Sequence, residues 1–134
     1  MKKLEHIGIA VKDLGKANQL FEKLFNEPYY KLEQLESEGV STSFFKVGET
    51  KIELLEACND NSPIAKFIDK RGEGIHHIAF EVEDINAEIK RLQNEGFQLI
   101  NQAPKDGVDN KKICFLHPKS TNGVLIELCQ EKAK

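Results

Sequence analysis

The 134 residues are enough for one domain of ordinary size and too few for two independent ones. With 40% apolar and 31% charged residues the composition is that of a soluble globular protein, which excludes disordered, collagen-like and disulfide-dense chains. The formal net charge of -3 comes without a cluster of basic residues, so we expect no nucleic-acid partner.

The chain carries none of the signals of export or membrane insertion. No apolar stretch approaches the roughly 20 residues of a membrane span, and the N-terminus shows no signal-peptide pattern. Cys58, Cys114 and Cys129 are odd in number and lack a Cys-x-x-Cys arrangement, which fits reduced packing residues. We therefore expect a cytoplasmic protein without membrane contact.

An internal repeat starts at the N-terminus. Residues 4–14, LEHIGIAVKDL, match residues 75–85, IHHIAFEVEDI, at an offset of 71, which aligns His6 with His77. Both segments alternate like strands, with Ile7 and Ile9 facing the covered side and His6 facing away from it. The same alternation places His76 on the covered side of the second strand. His77 is therefore the counterpart of His6.

The elements that follow repeat as well. Asp13 and Asp84 are N-caps of two predicted helices, and Ser62 followed by Pro63 starts a short third helix. The apolar helix positions are Leu14, Ala17, Phe21, Leu24 and Phe25 in the first, and Ile85, Ile89 and Leu92 in the second. Strands are predicted at 41–47, 51–55, 112–116 and 123–129, and further strands near 31–35 and 96–101.

These elements predict an α+β fold of two paired βαβββ modules. The first module covers residues 1–70 and the second residues 71–134 of a single domain. Each module of roughly 60 to 70 residues would bury little core alone, so we expect the two to fold together.

Four polar residues occupy repeat-related strand positions: His6, Glu53, His77 and Glu127. A carboxylate between Ile and Leu in a half-buried strand is costly unless its charge is compensated, and this happens twice. Two imidazoles with two carboxylates suit Co²⁺, Mn²⁺, Ni²⁺, Fe²⁺ or Zn²⁺ and leave positions for water or substrate. The alternative is that each is an ordinary surface residue of a solvated sheet. For His76, at the core edge, and His117, in a turn, we prefer such a structural role.

The paired modules resemble the vicinal oxygen chelate (glyoxalase/bleomycin resistance/dioxygenase) superfamily and, within it, the methylmalonyl-CoA epimerases. Beyond the repeat itself, the segments that carry this resemblance are TKIELLEA (50–57), SPIAKFI (62–68), GIHHIAFEVEDI (74–85) and FLHPKSTNGVLIEL (115–128). Together they cover nearly the whole chain.

The resemblance implies a glyoxalase-like fold, in which a mixed sheet lines a cleft with the helices outside. It implies a divalent metal held by His6, Glu53, His77 and Glu127, with Co²⁺ favoured and Mn²⁺, Ni²⁺, Zn²⁺ or Mg²⁺ possible. The implied reaction interconverts (R)- and (S)-methylmalonyl-CoA, an intermediate of propionate metabolism, by removal and return of the α-proton through an enolate. A homodimer and a CoA thioester substrate are implied as well.

We expect Glu127 and Glu53 to be the catalytic proton carriers on the two faces of the substrate. Some family members have a further proposed carboxylate three residues after a glycine, where this chain has Thr42. The second acid or base is therefore open between Glu53 and a metal-bound water. Candidate substrate contacts are Lys119 and His117, with Lys111 and Lys112 further candidates for phosphate.

Three other functions remain open. A glyoxalase I uses the same four ligand types, although the FLHPKS turn disfavours it. A ring-cleaving dioxygenase needs only two His and one carboxylate on iron, which would leave Glu53 superfluous. A metal-free small-molecule binding module on this fold would not need the four residues.

Overall fold

The computed structural model describes residues 1–132. Its strands are β1 (Lys3–Ala10), β2 (Lys31–Leu35), β3 (Val40–Val47), β4 (Thr50–Ala57), β5 (Gly74–Glu81), β6 (Lys105–Asp106), β7 (Lys111–Leu116) and β8 (Ile126–Glu131). Its α-helices are α1 (Leu14–Phe25), α2 (Pro63–Arg71) and α3 (Ile85–Asn94). The predicted α+β class is confirmed. Within residues 1–132, no helix is long and apolar enough to cross a membrane.

The described residues form two compact units. One comprises residues 6–76, and the other combines residues 1–5 with the described residues from 77 onward. These units differ from the predicted modules 1–70 and 71–134, because the border falls six residues later and the first five residues group with the second half. The border between residues 76 and 77 lies within β5, three residues after the strand begins.

In the unit of residues 6–76 the strand order is β2-β3-β4-β1, with β1 parallel to β4 and the other pairs antiparallel. Helix α1 covers one sheet face, where Leu14 packs with Phe45 and Leu54. Helix α2 packs on the other face through Ile64, which contacts the cluster of Ala10 and Leu55. The sheet is thus buried on one side by α1 and only partly covered by α2 on the other.

The second unit repeats this arrangement. Its strand order is β5-β8-β7-β6, with β5 parallel to β8. Helix α3 covers one face, where Ile85, Ile89 and Leu92 pack on Cys114 and Leu128. All three helix positions predicted from the sequence are therefore buried.

Repeat-related caps fix both helices to their sheets. The Oδ1 atoms of Asp13 and Asp84 accept hydrogen bonds from backbone N–H groups three residues on, each at 3.1 Å. The first helical N–H of α1 donates to Glu56 at 2.9 Å, and that of α3 donates to Gln130 at 2.7 Å. Since Glu56 and Gln130 lie on β4 and β8, each helix start is tied to the strand that carries a candidate ligand.

Two sequence predictions are wrong in detail. The predicted strand at 96–101 is replaced by a single bridge at Leu99 and by the short strand β6, because Gly96 in a left-handed conformation redirects the chain after α3. Leu24, predicted to face the core, is 68% exposed, because α1 turns it away from the sheet. The predicted strand at 31–35 is confirmed at both ends, and the boundaries of the other predicted strands shift by at most three residues.

The burial of the two sheet faces also differs from expectation. In β1, His6, Gly8 and Ala10 are buried, while Ile7 and Ile9 are only half-buried. The predicted alternation correctly places His6 on the opposite face of β1 from Ile7 and Ile9. The face with His6, however, is the more buried of the two. The candidate ligands thus lie in a buried environment and not on a solvated sheet surface.

We predict that Phe45→Ala lowers the free energy of unfolding by about 3–5 kcal/mol, because Phe45 is fully enclosed by an aromatic cluster. Its ring centroid lies 5.6 Å from that of Phe25 and 6.2 Å from that of Tyr29. The matched control is Leu24→Ala on the exposed side of α1, with an expected change within about 0.5 kcal/mol. Urea unfolding of both variants measures this, and equal losses would contradict the assigned packing.

The cysteines give a second prediction. Cys58 is exposed, whereas Cys114 and Cys129 are buried, and burial raises the pKa of the Cys114 thiol. Because the thiolate is the reactive form, native protein should be alkylated once by iodoacetamide, at Cys58, and three times after denaturation. Peptide mass spectrometry locates the modified residues, and rapid labelling of Cys114 in native protein would contradict the fold.

Candidate metal centre

His6 and Glu53 form the first candidate ligand pair. His6 lies on β1 and Glu53 on β4, and His6 Nδ1 is 3.1 Å from Glu53 Oε2. The two residues are 3% and 2% exposed. The parallel register of β1 and β4 places both side chains on one sheet face, so the strand pairing alone brings them together.

His77 and Glu127 form the equivalent pair in the second unit. His77 Nε2 lies 3.2 Å from Glu127 Oε1, and both residues are 5% exposed. The ring of Phe115 on β7 packs edge-on against His77, with the centroids 5.8 Å apart. The Phe115 ring therefore covers part of His77.

The two pairs share one backbone geometry. Glu53 is paired in the ladder with Gly8, and Glu127 with Ala79, so each histidine comes two residues before the partner of its glutamate. The small residues Gly8 and Ala79 leave room above the strand for the glutamate side chain. The predicted repeat thus extends from sequence to ladder register and side-chain pairing.

Each pair is chemically suited to a divalent cation. Removing a carboxylate from water costs several kcal/mol unless a charge or strong hydrogen bonds compensate it. Imidazole nitrogen and carboxylate oxygen are donors that first-row transition metals accept. Among the described residues, each unit brings a carboxylate and an imidazole into contact, and both groups are at least 95% buried.

His76 has the structural role that the sequence suggested. Its ring packs edge-on against Phe67 of α2, with the centroids 5.0 Å apart. Burial lowers the pKa of His76 to about 4, because the charged form loses its hydration. His76 is therefore neutral at neutral pH and belongs to the packing of α2.

The predicted substrate contacts lie in the segment between β7 and β8. His117 caps the short 3-10 turn Pro118–Ser120, and its Nδ1 accepts a hydrogen bond from Lys119 N–H at 3.1 Å. Lys119 is exposed. Lys111 is only 3% exposed and ion-paired with Glu131 at 3.2 Å, and Lys112 pairs with Asp106 at 3.1 Å. The burial of Lys111 makes it a poor phosphate contact.

The structure also buries polar residues that the sequence did not predict to be buried. Among them, Thr42 and Ser43 are fully buried on β3, and Glu5 is 2% exposed on β1. Glu5 precedes His6 in a strand that also contains Leu4 and Ile7, and this apolar surrounding is the only sequence feature that could have predicted its burial. The sequence analysis named Thr42 only because some family members have a carboxylate at this position. The burial of its hydroxyl could not be predicted from the sequence.

Comparison with known proteins adds the family context. A family model described as the Glyoxalase/Bleomycin resistance protein/Dioxygenase superfamily matches residues 5–115. The chain is 43% identical over 131 residues to a mitochondrial methylmalonyl-CoA epimerase of Dictyostelium discoideum, covering 94% of this chain and 76% of that protein. It is 40% identical over 130 residues to an ethylmalonyl-CoA/methylmalonyl-CoA epimerase of Cereibacter sphaeroides, covering 96% and 97%.

A solved structure is similar over the whole chain. It is a variant of Streptomyces coelicolor methylmalonyl-CoA epimerase in complex with 2-nitronate-propionyl-CoA. The TM-score is 0.94 at 32% identity, with 99% of this chain and 96% of that chain covered. The expected glyoxalase-like fold is therefore confirmed.

Proposed function

This chain belongs to the methylmalonyl-CoA epimerases of the Glyoxalase/Bleomycin resistance protein/Dioxygenase superfamily, and from that membership we propose that it interconverts (R)- and (S)-methylmalonyl-CoA. The observation that carries the proposal is the buried His–Glu pair, repeated in both units at the same register. The epimerase relatives at about 40% identity support the substrate.

The proposed ligands of one divalent cation are His6, Glu53, His77 and Glu127. The family resemblance favours Co²⁺ as the cation, with Mn²⁺, Ni²⁺, Zn²⁺ or Mg²⁺ as alternatives. The oxygen preference of Ca²⁺ fits the two histidines poorly. When bound, the cation would supply the positive charge that stabilises the enolate oxygen of the substrate. Its ligands must be deprotonated, so both histidines would bind as neutral imidazoles.

The proposed proton carriers are Glu127 and Glu53. An α-proton beside a thioester is far less acidic than a glutamic acid, whose ordinary pKa is about 4.3, so its removal needs a positioned base and stabilised charge. Epimerisation requires an acceptor on one face of the carbon and a donor on the other. We assign these two roles to the two glutamates on repeat-related strands, whose burial would exclude water from the proton transfer.

The remaining assignments complete the proposal. The exposed Lys119 and the half-buried His117 would contact the CoA thioester near its tail, with the turn at 118–120 holding both. We place the enzyme in the cytoplasm and in propionate metabolism, as a homodimer. Its net charge of -3 does not oppose CoA binding, because only the charges near the bound phosphates act at physiological ionic strength.

The reaction is tested by proton NMR of methylmalonyl-CoA in heavy water, with purified protein and Co²⁺. We expect the α-proton signal to disappear faster than in a protein-free control, because each proton removed is replaced by deuterium. A chelator should stop the exchange. No exchange with any of the proposed metals would overturn the proposal, and activity on the hemithioacetal of methylglyoxal would then identify a glyoxalase I.

We predict that Glu127→Gln lowers the exchange rate at least about 100-fold while methylmalonyl-CoA still binds, because the amide cannot accept the proton. Glu53→Gln should also lower it. The matched control is Glu49→Gln in the exposed turn between β3 and β4, which should exchange at the wild-type rate. Exchange rates come from NMR and dissociation constants from calorimetry. Full activity and metal content in Glu53→Gln would exclude Glu53 as a base.

A further inference from the structure

Phe115 lies directly opposite Glu127, one of the proposed ligands. The register of β7 and β8 pairs the two residues on one sheet face. The N–H of Phe115 donates to Asn101 Oδ1 at 3.1 Å, and its carbonyl accepts a hydrogen bond from the N–H of Ile100 at 2.8 Å. Since both backbone groups are engaged outside β8, Phe115 and Glu127 form a non-hydrogen-bonded pair, in which facing side chains lie closest together. The ring is therefore a direct neighbour of the carboxylate.

The same ring contacts His77, the other member of the buried pair. The ring centroids of Phe115 and His77 are 5.8 Å apart, and the ring planes are at 88° to each other. His77 Nε2 is 3.2 Å from Glu127 Oε1. One apolar side chain thus borders both the imidazole and the carboxylate, and its volume limits the conformations open to each.

The Phe115 ring is itself held in place. The ammonium nitrogen of Lys105 lies 5.9 Å from the ring centroid, within the range of a cation–π contact. Lys105 lies on β6 and pairs with Ile113, which is two residues before Phe115 and so shares its sheet face. Together with the backbone hydrogen bonds to Asn101 and Ile100, this contact restrains the ring.

The first unit repeats this arrangement. The register of β3 and β4 pairs Phe44 with Glu53, as that of β7 and β8 pairs Phe115 with Glu127. The ammonium nitrogen of Lys31 lies 5.0 Å from the centroid of the Phe44 ring. In both units a phenylalanine with a lysine over its ring therefore lies beside the buried glutamate, which points to a role at the glutamate and not to packing alone.

We propose that Phe115 is a positioning residue that holds the His77 imidazole and the Glu127 carboxylate in the arrangement that a divalent cation requires. The inference rests on the proposed function and its ligand set and deepens them, because it names a residue that acts on the cation through its ligands. A phenylalanine ring has no hydrogen-bonding group of its own, so it restrains both side chains and leaves their nitrogen and oxygen atoms available to the ion. Ligands that are held in advance lose less conformational entropy on binding, which raises the affinity.

The test measures the Co²⁺ dissociation constant of chelator-treated protein by calorimetry. Phe115→Leu and Phe115→Met keep the position apolar and close to its original volume, so both are expected to fold. Each should weaken Co²⁺ binding about tenfold or more, the usual effect of losing a group that orients a metal ligand. The visible absorption of both Co²⁺-loaded variants should differ from the wild-type spectrum, because the ligand geometry changes. Phe115→Tyr, which keeps the ring, should bind Co²⁺ as the wild type does.

Phe67 provides the matched control. Its ring also packs edge-on against a histidine, His76, with the centroids 5.0 Å apart and an interplanar angle of 80°. His76 is not a proposed ligand. Phe67→Leu removes the same kind of aromatic contact, so it should lower the thermal unfolding temperature and leave the Co²⁺ dissociation constant unchanged.

The outcomes separate this inference from the function on which it rests. Wild-type protein that binds no Co²⁺ would overturn the ligand set and the inference with it. Co²⁺ binding that weakens only in Phe115→Leu and Phe115→Met would support the inference even if the wild type exchanged no α-proton, a result that would overturn the epimerase proposal alone. Unchanged Co²⁺ affinity in both variants, or an equal loss in Phe67→Leu, would overturn the inference alone. A raised KM for methylmalonyl-CoA at unchanged Co²⁺ affinity would also overturn it, because the ring would then contact the substrate.

Discussion

The burial of a glutamate beside a histidine, once among the strands of each unit, is the constraint on which the rest of the structure depends. Glu53 and Glu127 are each flanked by apolar residues along their strands and lie 95% or more out of solvent. Such burial is unfavourable by several kcal/mol unless a neighbour compensates it. In both units the neighbour is a histidine at the same ladder position, and a small residue opposite the glutamate gives the pair its space.

Because of this constraint, the strands of each unit have two faces that differ in what they contact. One face packs against a long helix, through Phe45 and Leu54 in the first unit and Cys114 and Leu128 in the second. The other face carries the histidine and the glutamate. Because the caps from Glu56 and Gln130 tie each helix to the glutamate strand, helix packing and ligand position are fixed by the same strand.

Much of the fold could be predicted because the repeat and the strand alternation are local signals. The offset of 71 paired His6 with His77, and alternation separated His77 from His76, which packs on Phe67. The prediction of a strand at 96–101 was wrong. The alternation of apolar and polar residues within one segment does not show that the chain changes direction after Gly96. The prediction that Leu24 faces the core was wrong, because the exposure of Leu24 depends on which side of α1 packs against the sheet.

The candidate site could be predicted only as a set of residue types. The partnering of His6 with Glu53 follows from the register of two strands more than 40 residues apart, which periodicity does not encode. The buried hydroxyl of Thr42 and the placement of Lys31 over Phe44 depend on burial and rotamers. These are tertiary properties that no local sequence pattern shows.

Our central proposal is that His6, Glu53, His77 and Glu127 are the ligands of one divalent cation. Calorimetric titration of chelator-treated protein with Co²⁺ tests it most directly, comparing the wild type with His6→Ala and His77→Ala. The account predicts one Co²⁺ per chain in the wild type and strongly weakened binding in both variants. Two ions per chain, or unchanged binding after the loss of either histidine, would contradict it.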